Sequence, residues 1–267
     1  METNTAAPKY KILNRDAVKY LAILLMFIGH AVSWRYLIRE PGLDTTTLPF
    51  WEQALMQAAL FCPPVMFFMI ADGYKYTRDR KKYALRLGLF ALITQPFEWL
   101  LFQPVNGWWA GNVIFTLFCS LLALIVWEQE WKLPLRLLAV AGIIGVNVLS
   151  RSEWAGFAEV TVICLHAFRE KPKLRLLSYT LIFAANCGIM LLFGCSDAAR
   201  PVCGYLSQAV GFAAIMAAYA CMTVFYNGKK GRHPVFAKWF FYVFYPLHYL
   251  VIWLMIRCLT KMPEWIF

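Results

Sequence analysis

The chain has 267 residues, of which 61% are hydrophobic and 17% aromatic, and its net charge is +11 although only 15% of its residues are charged. A typical soluble domain has about 25% charged and about 45–50% apolar residues. The composition therefore excludes an ordinary soluble domain and predicts an integral membrane protein. Residues 1–15 are polar and precede a full-length apolar segment without a small-residue cleavage site, so we interpret them as a tail rather than a removable signal peptide.

The apolar segments predict an all-α, polytopic membrane bundle formed by one domain over residues 1–267. A membrane-spanning helix needs about 20 mostly apolar residues. Nine candidate segments follow one another along the chain: 17–37, 51–71, 84–102, 112–127, 133–149, 153–168, 176–194, 202–226 and 237–259. The fifth and sixth segments are short and only residues 150–152 separate them, so they form either a hairpin or a broken re-entrant pair.

The distribution of positive charge predicts the orientation of the bundle. Most of the 26 lysines and arginines fall in alternate connecting segments, namely 9–19, 75–86, 132–136, 169–175 and 229–238. Lysine and arginine accumulate in cytoplasmic loops, so this bias places the N-terminus inside and the C-terminus outside. It also accounts for most of the net positive charge without a nucleic-acid partner.

Two histidines lie inside apolar segments, His30 in the first predicted span and His248 in the last. An ionisable group at the centre of a membrane helix costs about 2.5–3.5 kcal/mol on insertion scales, so its presence marks a candidate functional site. His30 lies roughly 20 Å from the inner end of its span at about 1.5 Å per residue. The pair predicts a buried reaction centre where the two ends of the chain meet.

Other polar residues are predicted at a similar depth. Gln95 and Glu98 are about one helical turn apart in the third span. Asn112 opens the fourth span, and Glu159 lies within the sixth. Together with the histidines they predict a polar layer in the membrane, although Gln95 or Asn112 taken alone is better explained by a hydrogen bond between helices.

A dense basic cluster, interleaved with tyrosines, lies between the second and third spans. Its charged members are Arg78, Arg80, Lys81, Lys82 and Arg86. One interpretation is an anchor on anionic lipid headgroups. The other is a phosphate-binding rim, because guanidinium groups match phosphate geometry. With Lys19, these residues form the candidate set for binding a phosphorylated ligand.

The eight cysteines are scattered, with no C-x-x-C motif and no His/Cys spacing typical of zinc, so the sequence predicts no metal site. Cys195 and Cys203 flank one outer loop, where a disulfide and two free thiols are both compatible with the pattern.

Several blocks of the sequence resemble the TraX family, whose name-giving member N-acetylates the pilin of conjugative plasmids. The first block is DAVKYLAILLMFIGH at residues 16–30. Further blocks follow in order: PVMF at 64–67, GYKYTR at 73–78, residues 83–86 followed by Gln95, GNVIF at 111–115, and FFYVFYPLH at 240–248. Between about residues 126 and 232 only the hydropathy is similar.

The resemblance implies a transmembrane acyltransferase of the bacterial inner membrane that takes an acetyl group from acetyl-CoA at the cytoplasmic face. His30 matches the histidine expected to do the chemistry. Arg78 and Arg86 match the family's basic inner loop, and the matched polar positions are Gln95, Asn112 and His248. This chain has Gly29 where the family usually has an aspartate before the histidine. If that carboxylate orients the histidine, this chain either needs a substitute, Glu98 or Glu159, or works differently.

The residue types fit acetyl transfer. A base must take the acceptor's proton, and histidine, with an ordinary pKa of about 6.5, suits this role. The side-chain amides of Gln95 and Asn112 are candidate donors to the developing oxyanion. We favour direct transfer from acetyl-CoA over an acetyl-histidine intermediate. The acceptor is left open as a protein N-terminus, a glycan or a small molecule, and so is homo-oligomer formation.

Two other classes of protein remain compatible with the sequence. A b-type haem protein would use His30 and His248 as axial ligands. A small-molecule permease would account for the hydropathy and the buried polar layer, but it predicts inverted internal repeats, which are not evident in this chain.

Overall fold

The computed structural model describes residues 10–39, 48–106, 110–193 and 201–260, and within these ranges every regular element is a helix. The helices in chain order are α1 (Arg15–Arg39), α2 (Phe50–Ala58), α3 (Cys62–Tyr76), α4 (Arg80–Asn106), α5 (Val113–Trp127), α6 (Leu133–Leu149), α7 (Phe157–Ala167), α8 (Pro172–Phe193), α9 (Pro201–Ala220) and α10 (Pro234–Thr260). A 3₁₀ turn over Ala59–Phe61 joins α2 to α3, and a π turn over Cys221–Phe225 extends α9.

The nine predicted segments are confirmed as helices in the described part of the chain, with α2 and α3 forming one rod. Five stretches are long and apolar enough to cross a membrane: Arg15–Ser33, Phe50–Tyr76, Pro172–Leu192, Tyr205–Phe225 and Pro234–Cys258. Helices α5, α6 and α7 are apolar but shorter. The all-α polytopic membrane class is therefore confirmed.

The fifth and sixth predicted spans are separate helices of unequal length. Helix α7 has 11 residues, or about 16 Å at the usual rise, which is well short of the roughly 30 Å hydrocarbon core of a bilayer. It lies inside the bundle against α3, α5 and α8. This arrangement fits the broken pair better than a hairpin of two full spans.

The two ends of the chain are joined by backbone hydrogen bonds. The Leu13 N–H donates to the Phe225 carbonyl (3.0 Å), and the Arg15 N–H donates to the Lys229 carbonyl (3.0 Å). Helices α1 and α10 therefore begin at the same end of the bundle and run side by side. His30 is the sixteenth residue of α1 and His248 the fifteenth of α10, so the two histidines reach the same depth.

Candidate active site

The histidines of the first and last helices meet inside the bundle. The ring centroids of His30 and His248 are 5.6 Å apart, with 45° between the ring planes. His248 is 1% exposed, whereas His30 is half-buried. The structure thus brings together the two histidines that the sequence singled out.

A backbone carbonyl of α10 fixes the tautomer of His248 on the same helix. His248 Nδ1 is hydrogen-bonded to the Tyr245 carbonyl, and since a carbonyl oxygen only accepts, Nδ1 carries the proton. Nε2 then has a lone pair, and it is buried without a hydrogen-bond partner among the described residues. Phe244 stacks parallel to the ring at 5.6 Å and Tyr249 lies at 4.1 Å, which restricts its rotation.

A cavity of about 1350 Å³ passes His30 and reaches residues at both ends of the bundle. We call one part of it the basic end, since it is lined by Arg15, Lys19, Arg86, Lys230 and Lys238. The opposite part, the far end, is lined by Arg151, Ser152 and Glu153 of the α6–α7 turn. His30 is on the wall between the two ends.

The backbone of the far end is constrained. Arg151 and Trp154, both non-glycine residues lining the cavity, have φ angles of 51° and 65°. Left-handed conformations of such residues cost about 1–3 kcal/mol and persist only where the surroundings hold them. Here the Ser150 carbonyl accepts from the Gly111 N–H (2.7 Å), and the Glu153 carbonyl accepts from the Thr116 hydroxyl (2.7 Å).

The structure divides the six basic residues predicted to bind phosphate. Lys19 and Arg86 line the cavity; Lys19 Nζ lies 4.7 Å above the Phe241 ring, and Arg86 Nε donates to the Tyr242 hydroxyl (2.9 Å). The other four are exposed, outside the lining of the main cavity: Arg78, Arg80, Lys81 and Lys82.

Two of these exposed residues have local partners. Arg80 lies 4.1 Å above the Tyr74 ring. The Lys82 backbone N–H donates to the Asp79 carboxylate, and this bond, with the nearby Lys82 ammonium, holds the pKa of Asp79 below its usual range. The cavity instead gains Arg15, Lys230 and Lys238, which the sequence pattern did not assign because the pairing of the two chain ends brings them there.

Gln95 and Asn112 form a capping network between α4 and α5. The Asn112 Nδ2 group donates to the Ala91 carbonyl (2.9 Å) and to Gln95 Oε1 (2.8 Å), and Asn112 Oδ1 accepts from the Phe115 N–H as an N-cap. Gln95 Nε2 donates to the Ala110 carbonyl (2.7 Å). In the described structure neither side chain lines the cavity, so their role as oxyanion donors stays a prediction.

The two candidate substitute carboxylates lie in different places. Glu159 caps α7: its Oε1 accepts from Asn147 Nδ2 (2.6 Å) and its Oε2 from the Gly156 N–H (2.8 Å). Glu98 is buried and hydrogen-bonded to Tyr249, which lies beside both histidines.

The sequence pattern did not single out Tyr245 and Tyr249 as site residues, although they lie three residues before and one after His248 on the same helix. Cys195 lies outside the described residues, so a Cys195–Cys203 disulfide and two free thiols both stay predictions.

Position 29 has no space for a side chain. A Cβ atom placed on Gly29 would lie 2.5 Å from the Ala59 Cβ and 3.2 Å from the Leu55 carbonyl oxygen. The backbone of α1 therefore touches the α2 region one residue before His30, as small residues allow between membrane helices. This contact explains in physical terms why a carboxylate cannot stand next to His30 on α1.

We expect the Gly29→Ala substitution to lower the free energy of unfolding by about 1–3 kcal/mol, the usual cost of overpacking. The measurement is unfolding in mixed detergent micelles. Gly142→Ala on α6 is the matched control, because nothing lies within 4 Å of a Cβ there and the helix should be unaffected or slightly stabilised. Equal stability of the two variants would contradict the close α1–α2 contact.

Comparison with known proteins identifies the family. The family model described as TraX protein matches residues 14–256, a range that contains both histidines and the whole basic end of the cavity. The chain belongs to the TraX family. This TraX-family protein is 26% identical over 264 residues to the probable fimbrial assembly protein FimC, serogroup H1, of Dichelobacter nodosus, covering 92% of the present chain and 94% of the relative. No solved structure matches it.

Proposed function

We propose that this TraX-family protein is a membrane-embedded acetyltransferase that moves an acetyl group from cytoplasmic acetyl-CoA to an amine or hydroxyl acceptor, with His30 as general base. The observation that carries the proposal is that the five basic residues of the basic end and His30 line one continuous cavity. Such a shape suits a donor with a highly charged head and a long, uncharged, reactive arm.

The basic end suits the phosphates of the donor. Guanidinium and ammonium groups form charge-assisted hydrogen bonds with phosphate oxygens, and at this end they can do so while in contact with water. From Lys19 to His30 along α1 is about 16 Å at the usual helical rise. The pantetheine arm would extend over this distance along walls that include Ile23 and Met26, bringing the thioester to the histidine.

The chemistry balances with His30 acting first as a base and then as an acid. As the acceptor nitrogen or oxygen attacks the thioester carbonyl, His30 takes its proton. Collapse of the tetrahedral intermediate breaks the C–S bond, and the CoA thiolate receives the proton from His30. With a neutral acceptor no net proton is released. His248 packs against His30 and keeps it oriented toward the cavity.

The acceptor would approach from the far end, which is lined by Arg151 and Glu153. Because the Dichelobacter nodosus relative is named a probable fimbrial assembly protein, a fimbrial subunit joins glycans and small molecules among the candidate acceptors. Under this proposal the protein lies in a bacterial inner membrane with the basic end in the cytoplasm, as the charge bias predicts.

A permease is the second candidate, because the cavity touches residues at both ends of the bundle. A permease would transport its substrate unchanged, whereas the acetyltransferase would convert acetyl-CoA to CoA. Protection of the cavity by acetyl-CoA, combined with release of free CoA in the presence of acceptor extracts, separates the two functions.

We test donor binding and orientation with single cysteines at positions 77, 81 and 151 in a cysteine-free background. Thr77 lines the basic end, and Lys81 is an exposed control in the following helix. An impermeant thiol reagent should modify position 151 in spheroplasts, and positions 77 and 81 only in inverted vesicles. Acetyl-CoA should slow modification at 77 and leave 81 unchanged.

Two results would count against this scheme. Modification of position 77 or 81 in spheroplasts would contradict the predicted orientation of the bundle. Equal rates at 77 with and without acetyl-CoA would place the donor elsewhere.

A further inference from the structure

Glu98 is a buried acidic residue next to Tyr249, the tyrosine that packs beside the histidine pair. It is 3% exposed, on a helix, α4, that packs along α10. The Tyr249 side chain hydrogen-bonds to it, while its Oε2 atom is buried with no hydrogen-bond partner in the described structure. Because ionisable groups at membrane depth are costly, one that is kept there marks a functional position.

Two tyrosines connect Glu98 to the histidines. The hydroxyls of Tyr249 and Tyr245 are 2.9 Å apart, so one donates to the other. The Tyr249 ring lies 4.1 Å from the His248 ring and is stacked near His30 at 6.4 Å. The Tyr245 ring meets His248 edge-on at 5.1 Å, and its carbonyl holds the Nδ1 proton.

The hydrogen bond between the two hydroxyls therefore restricts the positions of the Tyr245 and Tyr249 rings. Rotation of Tyr249 away from Glu98, or of Tyr245 away from Tyr249, would break a buried hydrogen bond, which is expensive in a low-dielectric interior. Since the tyrosine rings pack on the imidazoles, Glu98 limits the positions that the histidines can adopt.

We propose that Glu98 is the positioning residue of the histidine pair, acting through the Tyr249 hydroxyl. Glu98 itself does not line the cavity in the described structure, so it does not touch the donor or the acceptor. The inference rests on the proposed acetyl transfer, but its geometry does not depend on the identity of the acceptor.

The test uses Glu98→Leu, Tyr249→Phe and the double variant. We expect each single variant to lower kcat by up to about 100-fold, the cost of misplacing a reacting group by about 1 Å, with KM for acetyl-CoA unchanged within about twofold. Because the two residues act as one unit, the double variant should be no slower than the slower single variant. A double variant whose loss in kcat equals the product of the two single losses would overturn the proposal.

Rescue by a conservative variant separates positioning from simple support of the fold. In Glu98→Gln the amide oxygen can still accept from Tyr249, so its kcat should return to within about fivefold of wild type. Thr94→Val is the matched control: Thr94 is fully buried one turn earlier on α4, and its hydroxyl has no hydrogen-bond partner among the described residues. It should keep full activity. A Glu98→Gln variant as slow as Glu98→Leu, or an equal loss in Thr94→Val, would overturn the proposal.

A second readout does not require acetyl transfer. Diethyl pyrocarbonate modifies imidazoles, and the rate at His30 can be followed by mass spectrometry of the corresponding peptide. Glu98→Leu should change this rate several-fold, and Glu98→Gln and Thr94→Val should leave it at the wild-type value. If the wild-type protein transfers no acetyl group, the proposed function fails while these rates still decide the role of Glu98. A wild-type rate of His30 modification in Glu98→Leu would refute the positioning role of Glu98.

Discussion

Replacement of His30 by alanine should reduce the rate of acetyl transfer by at least about 100-fold, because general-base catalysis typically contributes about 10²–10⁴-fold. The dissociation constant of acetyl-CoA should stay within about twofold of wild type, since the residues of the basic end are intact. The measurements are the release of CoA by detergent-purified protein and calorimetric binding of acetyl-CoA.

His233→Ala is the matched control for this variant. His233 is exposed in the segment before α10 and is not among the described residues that line the cavity, so its loss should leave the rate unchanged. Retention of more than about a tenth of the wild-type rate in His30→Ala would remove His30 from the role of an essential base. His248, whose Nε2 lone pair has no hydrogen-bond partner in the described structure, would then be the better candidate.

The double variant Arg86→Gln/Lys230→Gln should weaken acetyl-CoA binding by about 10- to 100-fold, because a hydrogen bond to a charged group contributes about 1.5–3 kcal/mol and partial solvation reduces that contribution. The difference from wild type should shrink at high salt, since salt screens charges that are in contact with water. The dissociation constant is measured by calorimetry at low and high ionic strength.

Arg80→Gln/Lys81→Gln is the control of equal charge. Both residues are exposed and lie outside the lining of the main cavity in the described part of the chain, so this variant should bind acetyl-CoA within about twofold of wild type. If the control pair weakened binding and the cavity pair did not, the phosphate rim would be the exposed basic cluster that the sequence pattern indicated. Wild-type binding by both variants would place the donor elsewhere.

Membrane character, the sequence of helical segments and the two intramembrane histidines could all be predicted from the sequence. Each depends on a local property: the apolar length needed to cross a bilayer, or an ionisable residue within such a length. The basic clusters at alternate connections predict orientation for the same reason. The length of α7 was not predictable in this way, because hydropathy does not distinguish a short helix surrounded by protein from one surrounded by lipid.

The composition of the site depended on contacts between distant segments. Pairing of Leu13 with Phe225 aligns α1 and α10, which places the two histidines at one depth and brings Lys230 and Lys238 to the cavity in place of Arg78 and Arg80. Contact of Gly29 with Ala59 excludes a side chain beside His30, and packing of α4 on α10 puts Glu98 next to Tyr249. Lipid tails are as apolar as the side chains, so hydrophobicity does not specify which helices pack together. Steric fit and hydrogen bonds between helices determine those partners, and they exist only in the folded bundle.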